Sequence, residues 1–534
     1  MSEPSLPATK HAWSVSWINS SRWFWGLLGT VTLWKLFAAW KLGLIFDECY
    51  YWEWSLHPQA CYFDHPPLTA WLIASARMIL GHTTLAVRIW AIVGGIILAL
   101  AGRELGKDLF GQSAGNRAGI LLLLAPIFAG NSLLMTPDTF LIPAWACAVL
   151  CAWRGAREGG NLGWWFGAGA SAGVGMLSKY TMVLFYGAMA AIWIGARARG
   201  RKLPTDTLRC PEATVSTLGL IVSGLTSLLI FLPVLWWNSN HDWVSFNHQL
   251  HHGFRNEHQT LINIQNLSDY GAFLIVLVSP ILGILCFRTA VTRMKDPGYH
   301  FLGVFFWTVV VFFGYSAAKA HIEANWPMAA FVTALIMVAG DWENYGAVWR
   351  KAAIIVLLIA DIGAFIGVSN LLLPKNSPLS IRNFSPDISF LGKIPGLSAL
   401  QAPASQGLGD FQTRIEEFLG PESAARTIEE NFKASGADFI CLSTYQLTGV
   451  MSFYAPSLEP LLWLPDHGRV RFPWINNTAW AGKTALLAAW PRLYCYSHEL
   501  FSELSMPHPV PVPGTRSPLF LSVGKSYNPE NARP

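Results

Sequence analysis

The chain has 534 residues, of which 52% are hydrophobic and only 13% are charged, and 26 of them are tryptophan. A soluble globular protein of this length would need far more charge to cover its surface, so that class is excluded. The net charge of +5 does not indicate a nucleic-acid partner, because Lys and Arg in a membrane protein report loop orientation more than partner choice. The composition predicts a polytopic membrane protein whose tryptophans lie at its membrane–water interfaces.

The first apolar run covers roughly 23–45 and is long enough to cross a bilayer once. No small-residue cleavage site follows it, so we interpret it as an uncleaved signal anchor after a cytoplasmic segment over 1–22. At its end the chain gathers carboxylates and aromatic residues in two segments, FDECYYWEW over Phe46–Trp54 and YFDHPP over Tyr62–Pro67. An acidic helix terminus in an aromatic belt would explain the tyrosines and tryptophans, but not the ordered carboxylates and the double proline.

The segment between the first and second spans, Pro66–Gly81, is too short and too mixed to cross and predicts a helix lying in the interface. Treating the apolar runs as spans gives about eleven in all. They cover roughly 23–45, 84–102, 118–134, 139–153, 163–177, 181–196, 214–236, 269–287, 300–317, 326–340 and 352–373. The predicted transmembrane domain is therefore 23–373.

The distribution of basic residues sets the orientation. With the amino terminus in the cytoplasm, the even-numbered connections should be rich in Lys and Arg, and all five are. Their basic residues are Arg103, Lys107, Arg117, Arg154, Arg157, Arg197, Arg199, Arg201, Lys202, Arg209, Arg288, Arg293, Lys295, Arg350 and Lys351.

This orientation places the unusual polar motifs together on the extracytoplasmic side. They are Asp47-Glu48, Asp64-His65, Thr136–Asp138, Ser178–Tyr180, Trp237–Trp243 and Lys319–Pro327. Because chance would scatter such motifs over both faces, their collection on one face predicts a single extracytoplasmic site near the membrane surface.

From about Pro374 the composition becomes polar and predicts a small extracytoplasmic α/β domain over 374–534. Its predicted helices are Phe411–Leu419 and Glu422–Ser435, its predicted strands are Asp438–Ser443 and Leu461–Leu464, and it ends in a Pro-rich tail over Pro507–Pro518 without a folding signal. The fold class is thus a polytopic α-helical membrane protein with interfacial helices in its first external loop, plus this small α/β domain.

The cysteines leave two interpretations open. Cys49 with Cys61, and Cys441 with Cys495, could form disulfides in an oxidising compartment. Buried free thiols are the alternative for the second pair.

The order of the motifs resembles a known family. Asp-Glu after the first span, YYWxWS, YFDHPP, TPD, LSKYT, WNxxHxWxSF and NWP follow one another between Phe46 and Pro327. This order resembles the bacterial glycosyltransferases related to dolichyl-phosphate-mannose–protein mannosyltransferases. Those enzymes share the GT-C membrane fold with the lipid A aminoarabinose transferases and the rhizobial lipopolysaccharide galacturonosyltransferases.

The resemblance implies transfer of a sugar from a polyprenyl phosphate with inversion at the anomeric carbon. A carboxylate must then take the proton of the attacking hydroxyl. The family's catalytic acid lies in its first extracytoplasmic loop, and Asp47 matches it, with a structural cap as the alternative. Glu48 would tune Asp47 through like-charge proximity or bind a sugar hydroxyl. Asp64 and His65 would orient substrate or share the acid–base work, and a turn stabilised before Pro66 is the alternative.

Further residues are candidates for substrate binding. Lys179 could hold the donor phosphate as a point charge, or be a snorkelling lysine. Arg88 could pair with a phosphate or with a neighbouring acid, and Asp138 matches the family's TPD position but also suits a helix N-cap. The remaining predicted contacts to donor, headgroup or acceptor are Tyr180, Asn238, His241, Trp243, His248, Gln249, Lys319, His321 and Asn325.

A metal site is not predicted, and no cofactor is. His248 and His252 would be one helical turn apart, a spacing compatible with zinc, but no cysteine accompanies them and a carboxylate ligand is not evident. The first loop also lacks the Asp-x-Asp of metal-dependent relatives that use pyrophosphate lipids, which favours a monophosphate donor. A divalent metal remains the alternative.

Taken together, the sequence predicts a monomeric glycosyltransferase of the bacterial inner membrane with its site facing the periplasm. Its predicted partners are membrane lipids, a polyprenyl-phosphate-linked sugar donor, and a glycolipid or glycan acceptor such as lipid A or lipopolysaccharide. Two alternatives are a protein O-glycosyltransferase of the same fold, and a transporter or lipid-carrier flippase. A transporter would place its charges near the bilayer midplane, whereas these lie at span ends.

Overall fold

The computed structural model describes residues 15–157, 161–198, 215–254, 262–320, 322–371, 418–458, 461–463, 472–475, 477–491, 500–515 and 517–531. His321, Cys495 and the greater part of the helix predicted over 411–419 lie outside these residues.

Up to residue 371 the described chain is helical. Its helices are α1 (Ser21–Lys41), α2 (Phe46–Leu56), α3 (Leu68–Leu80), α4 (Thr84–Phe110), α5 (Gln112–Leu124), α6 (Pro126–Asn131), α7 (Asp138–Arg157), α8 (Leu162–Ser178), α9 (Leu184–Ala198), α10 (Thr217–Ser239), α11 (Val244–Phe254), α12 (Ile264–Val276), α13 (Pro280–Thr292), α14 (Pro297–Ala317), α15 (Met328–Gly340) and α16 (Ala347–Leu371). Short 3-10 helices cover Val15–Asn19, Tyr180–Val183 and Trp342–Asn344.

Six of the described helices are long and apolar enough to cross a membrane: α4, α7, α9 with its preceding 3-10 turn, α10, α14 and α16. The bent pairs α1 with α2 (79°) and α12 with α13 (99°) raise this number to eight if each pair is one span. The count of about eleven therefore stays a prediction, because α5, α8 and α15 have only 13, 17 and 13 residues. In α15 every residue from Met328 to Ala339 is buried, which makes it a core helix of the bundle.

The first external segment folds as two helices. A bend of 79° separates α1 from α2, so that α2 leaves the direction of the first span. The helix α3 occupies the segment for which an interfacial helix is predicted, and its carboxyl-terminal Met78 and Ile79 are 85% and 84% exposed. Exposed apolar side chains at a membrane surface are compatible with contact to lipid.

The carboxyl-terminal part contains α17 (Gly420–Ser435), α18 (Tyr445–Tyr454) and the strands β1 (Phe439–Leu442), β2 (Leu461–Trp463), β3 (Ala485–Ala489), β4 (Phe501–Leu504), β5 (His508–Val510) and β6 (Leu519–Tyr527). The strand order is β2-β1-β3-β6-β4, and β5 also pairs with β6. The strand β1 is parallel to β2 and β3, whereas β6 is antiparallel to β3, β4 and β5.

The predicted strands near 438–443 and 461–464 and the helix near 422–435 are confirmed by β1, β2 and α17. The prediction of a tail without folded structure over Pro507–Pro518 is wrong, because β5 lies within it and Pro509 is aligned with Phe520 of β6. Proline is tolerated in β5 because this short strand pairs only with β6, so the backbone N–H that proline lacks is not needed to bond a second strand.

The carboxyl-terminal domain docks directly on α2. A Cβ atom at Gly449 of α18 would lie 2.4 Å from the carbonyl oxygen of Cys49, so the two backbones can be this close only because Gly449 has no side chain. The backbone N–H of Leu44 donates to the hydroxyl of Tyr454 at 2.7 Å. The Trp474 indole donates to Glu53 Oε1 at 2.9 Å. These contacts hold the carboxyl-terminal domain against α2 and the residues just before it.

Among the described residues, Cys49, Cys61 and Cys441 are free and buried, so of the interpretations left open the structure shows free thiols. The Cys61 thiol lies 3.3 Å from the Tyr180 hydroxyl and 3.6 Å from Asn238 Nδ2. Burial raises the pKa of the Cys61 thiol, which keeps it protonated and unreactive.

Candidate active site

A cavity of about 720 Å³ opens between the helical bundle, α2, α11 and α18. It is lined by residues from distant parts of the chain. They include Asp47, Tyr50, Tyr51, Asp64, His65, Thr136, Pro137, Asp138, Lys179, Tyr180, Phe246, His248, Gln249, Ser316, Glu323, Asn325, Trp326, Tyr445 and Gln446. The volume is that of a typical small-molecule site.

Asp47 lies in the first turn of α2 with its carboxylate exposed to the cavity. Gln446 Nε2 donates to Asp47 Oδ1 at 3.1 Å. Protein around the carboxylate limits its hydration, and this desolvation raises the pKa of Asp47, with smaller contributions in the same direction from the charges of Glu48, Asp64 and Glu323. A carboxylate that is exposed to a cavity and has a raised pKa is a suitable proton acceptor.

A second group on the cavity wall joins Lys179, Asp138 and Asn325. Lys179 Nζ lies 2.8 and 2.9 Å from the two carboxylate oxygens of Asp138. Asn325 Nδ2 donates to Asp138 Oδ2 at 2.7 Å. Lys179 is 9% exposed and Asp138 is 3% exposed, so each buried charge is compensated by the other.

The third group surrounds Asp64. The Tyr50 hydroxyl donates to Asp64 Oδ2 at 2.6 Å, and His248 Nε2 lies 3.3 Å from Asp64 Oδ1. Next to it, burial lowers the pKa of His65 to about 4, so this imidazole is neutral at pH 7. His65 Nδ1 is buried and has no hydrogen-bond partner among the described residues.

A model of the dolichyl-phosphate-mannose-protein mannosyltransferase family matches residues 64–237. The lipid A galacturonosyltransferase RgtD of Rhizobium johnstonii is 25% identical over 349 residues, covering 63% of this chain and 69% of RgtD.

Among solved structures, ArnT from Cupriavidus metallidurans bound to undecaprenyl phosphate matches with a TM-score of 0.63 and 16% identity, covering 94% of this chain and 98% of that chain. The same ArnT in the apo state matches with a TM-score of 0.59 and 15% identity, covering 96% and 99%. The fold is that of the GT-C glycosyltransferases. The family resemblance drawn from the motifs is confirmed, and the relatives named here are glycosyltransferases.

Within this GT-C fold, Glu48 and Arg88 are not on the cavity wall. Both side chains are fully buried, and Arg88 donates to Glu48 Oε1 at 2.8 Å and to Oε2 at 2.5 Å. Arg88 also donates to the carbonyl oxygens of Leu42 and Gly43, where the chain turns from α1 into α2. A sugar contact for Glu48 and a phosphate contact for Arg88 are therefore wrong, and the ion-pair alternative for Arg88 is what the structure shows. Glu48 keeps its electrostatic effect on Asp47.

The predicted contacts on the loop after α10 divide into two sets. His248 and Gln249, on α11, line the cavity, and Gln249 Nε2 donates to the Asp64 carbonyl oxygen at 2.5 Å. The predicted contacts Asn238, His241 and Trp243 do not line it.

These three residues build the turn from α10 into α11. The carbonyl oxygen of Asn238 accepts from the backbone N–H groups of His241 and Trp243, each at 3.0 Å. The His241 ring stacks on Trp237 at 3.9 Å, and Trp243 has a positive φ of 55°. These contacts place the three residues in the turn that leads into α11, and substrate contact by them stays a prediction.

Of the other predicted contacts, Tyr180 lines the cavity, and its hydroxyl lies 2.7 Å from Ser245 Oγ. Lys319 does not line it, because its ammonium lies over the Tyr315 ring at 4.6 Å. His321 is outside the described residues.

Several lining residues were missed by the sequence analysis. Tyr50 and Tyr51 stand within the quoted motif but were attributed to an aromatic belt. Glu323 lies in the Lys319–Pro327 segment, where it was not singled out. Tyr445 and Gln446 come from α18, and no local sequence signal could have indicated that this helix docks on α2.

Among the described residues, no group of three His, Cys, Asp or Glu side chains is arranged to hold a metal ion. His248, the zinc candidate, contacts Asp64 instead. Metal independence stays a prediction.

Proposed function

We propose that this protein is an inverting glycosyltransferase that moves one sugar from a polyprenyl-phosphate carrier to lipid A, lipopolysaccharide or another extracytoplasmic glycolipid. The observation that carries the proposal is that Asp47 and Lys179 line the same cavity, Asp47 in the first turn of α2 and Lys179 directly before the helical segment Tyr180–Ala198, which is long enough to span a membrane. The similarity to RgtD and to ArnT, whose structure contains undecaprenyl phosphate, supports the acceptor class and the carrier.

Asp47 acts as the general base in this proposal. It accepts the proton of the acceptor hydroxyl while the hydroxyl oxygen bonds to the anomeric carbon from the face opposite the phosphate. The bond from that carbon to the phosphate oxygen breaks at the same time, and the lipid phosphate leaves with the electron pair. The limited hydration of the Asp47 carboxylate favours this role, because the raised pKa makes it a stronger proton acceptor.

Lys179 stabilises the negative charge on the departing phosphate. An ammonium has three N–H donors, and the two oxygens of Asp138 engage at most two of them in the free protein. Asn325 donates a hydrogen bond to Asp138, and the Asp138 carboxylate, held in this way, fixes the position of the Lys179 ammonium on the cavity wall. A charge fixed before the reaction stabilises the leaving group without reorganisation at that moment.

The neutral His65 and the Asp64 group are positioned to bind sugar hydroxyls. Tyr50 and His248 hold the Asp64 carboxylate. The buried Nδ1 of His65 would gain a partner when a sugar hydroxyl binds, and an unsatisfied buried polar atom is costly until it does.

In this proposal the cavity faces the periplasm, because the clusters of basic residues lie at the connections predicted to be cytoplasmic and not at the cavity. Arg154 bonds Asp108 at 2.7 Å, Arg117 contacts Glu343 at 2.8 Å, and both basic residues belong to loops predicted to be cytoplasmic.

We expect a maleimide that does not cross membranes to label Asn240→Cys in intact spheroplasts, because Asn240 is exposed on the predicted outer side. Lys107→Cys, at an exposed position of a predicted cytoplasmic loop, should be labelled only after lysis. Both variants should be made in a background without other accessible cysteines, which serves as the control. Labelling of Lys107→Cys but not Asn240→Cys in spheroplasts would contradict the orientation.

A strain lacking the protein should lose the mass of one sugar from lipid A or from the lipopolysaccharide core. Mass spectrometry of these lipids and of secreted proteins identifies donor sugar and acceptor together. Complementation with the unchanged gene should restore the mass. A loss from proteins alone would indicate the protein O-glycosyltransferase, and unchanged masses in every fraction would contradict the proposal.

A further inference from the structure

Gln446 connects the carboxyl-terminal domain to the proposed base. Its amide Nε2 donates to Asp47 Oδ1 at 3.1 Å, although the two residues are 399 positions apart in the chain. The amide nitrogen of glutamine is a donor only, so this contact matches a carboxylate that accepts. Gln446 is half-buried and also lines the cavity.

The position of Gln446 is set by contacts on both sides of it in the chain. The Thr444 hydroxyl oxygen caps α18 by accepting from the Leu447 N–H at 3.2 Å. The Tyr445 ring lies 4.4 Å from the Tyr50 ring. One turn further along, Gly449 lies against the backbone of Cys49. The first turn of α18 is thereby held over the first turn of α2, which carries Asp47.

We infer that Gln446 is a positioning residue that orients the Asp47 carboxylate toward the cavity and favours its ionised form. This inference rests on the proposed function, in which Asp47 must be ionised to accept a proton. It also assigns the carboxyl-terminal domain a part in the reaction, because its helix α18 completes the environment of the base.

The charges around Asp47 explain why such a donor is needed. The titratable groups that interact with Asp47 are Glu48 and Tyr51 from its own helix, Asp64 from the following loop and Glu323 from the segment before α15. Desolvation and the carboxylates among these groups raise the pKa of Asp47. The Gln446 hydrogen bond acts in the opposite direction, because it stabilises the charged form.

The direction of the pH effect follows. A base with a raised pKa loses activity as the pH falls through that pKa. Removal of the Gln446 donor raises the pKa further, so the acidic limb of kcat/KM should move to higher pH. A hydrogen bond to a charged group corresponds to a shift of about one pH unit.

The test compares Gln446→Leu and Gln446→Glu in the full-length protein purified in detergent. The probe is a water-soluble carbodiimide with glycine ethyl ester, which modifies protonated carboxyl groups. Modification of Asp47 is measured by peptide mass spectrometry as a function of pH. We expect the midpoint to rise by about one pH unit in Gln446→Leu, and further in Gln446→Glu, which adds a like charge.

The matched control is Asn431→Leu, which removes another half-buried amide of the same domain, one that donates to the Thr427 carbonyl oxygen within α17. It should leave the Asp47 midpoint unchanged. The thermal unfolding midpoint of each variant separates a purely structural role from a positioning one. If Gln446→Leu does not fold, Gln446→Met, which also lacks the donor and adds no charge, takes its place.

An Asp47 midpoint that stays in place in both Gln446 variants would overturn the inference, whether or not sugar transfer is observed. A midpoint that rises, together with an acidic limb of kcat/KM that rises equally, would support it. A protein without transferase activity at any pH would instead refute the proposed function, and the carbodiimide midpoints distinguish this result from a failure of the inference.

Discussion

Replacement of Asp47 by asparagine is expected to abolish sugar transfer, with kcat/KM lowered by roughly 100- to 10,000-fold. The amide has nearly the shape of the carboxylate but cannot accept the proton of the acceptor hydroxyl. Asp47 is exposed to the cavity, so the substitution leaves no buried charge without a partner, and the free energy of unfolding should change little. Transfer is measured as the sugar mass restored to the lipids of the deletion strain.

The matched control for this prediction is Asp242→Asn. Asp242 is an exposed aspartate outside the cavity lining, in the turn before α11. Its φ is 51°, a left-handed conformation that asparagine adopts readily, so the same chemical change should be harmless there. Full activity of Asp47→Asn would remove the proposed base, and equal loss in both variants would indicate a general effect on folding or insertion.

Replacement of Lys179 by methionine is expected to reduce transfer as strongly and also to destabilise the protein. The change removes the cation proposed for the donor phosphate. It also leaves Asp138, which is 3% exposed, without its ammonium partner. Breaking a buried ion pair by removing one partner costs on the order of 3–5 kcal/mol. Activity and thermal unfolding of the purified protein are the two measurements.

The double variant Asp138→Asn/Lys179→Met separates the two effects. It removes both charges, so most of the lost stability should return, while transfer should stay as low as in Lys179→Met. Recovery of activity in the double variant would show that the lysine serves only to neutralise Asp138. Asp138→Asn alone keeps the cation, and its amide oxygen can re-form the contact to Asn325, but it leaves the buried Lys179 ammonium without its carboxylate, so it should also lower stability.

Much of the architecture could be predicted from residue order alone. Apolar runs reveal spans because each must match the thickness of the bilayer, and basic loops reveal orientation because Lys and Arg are retained on one side. This was enough to place Asp47, Asp64, Asp138 and Lys179 on one face, and all four do line one cavity. The aromatic residues were harder to assign, since a tyrosine at an interface and a tyrosine on a cavity wall look alike in sequence.

The neighbours Asp47 and Glu48 show what required the tertiary structure. Successive residues on a helix point about 100° apart, so one carboxylate turns to the cavity while the next turns into the protein and pairs with Arg88. Which of the two carboxylates faces the cavity depends on how α2 is rotated about its own axis. That rotation is fixed by the contact with Arg88 on α4, 40 residues further along the chain, and by the contact of Gly449 on α18 with Cys49.

Gln446 is the second case. Nothing in its own segment distinguishes it from any polar residue at the start of a helix. It contacts Asp47 because Gly449 lets α18 approach the backbone of α2. The amino-acid sequence thus determined the class of protein and the set of charged groups that meet at one cavity, since these depend on local composition and bilayer thickness. The division of those groups into a proposed base, a proposed phosphate cation and a structural ion pair was decided by long-range packing, because a charge takes its role from the partner that lies within a few ångströms of it.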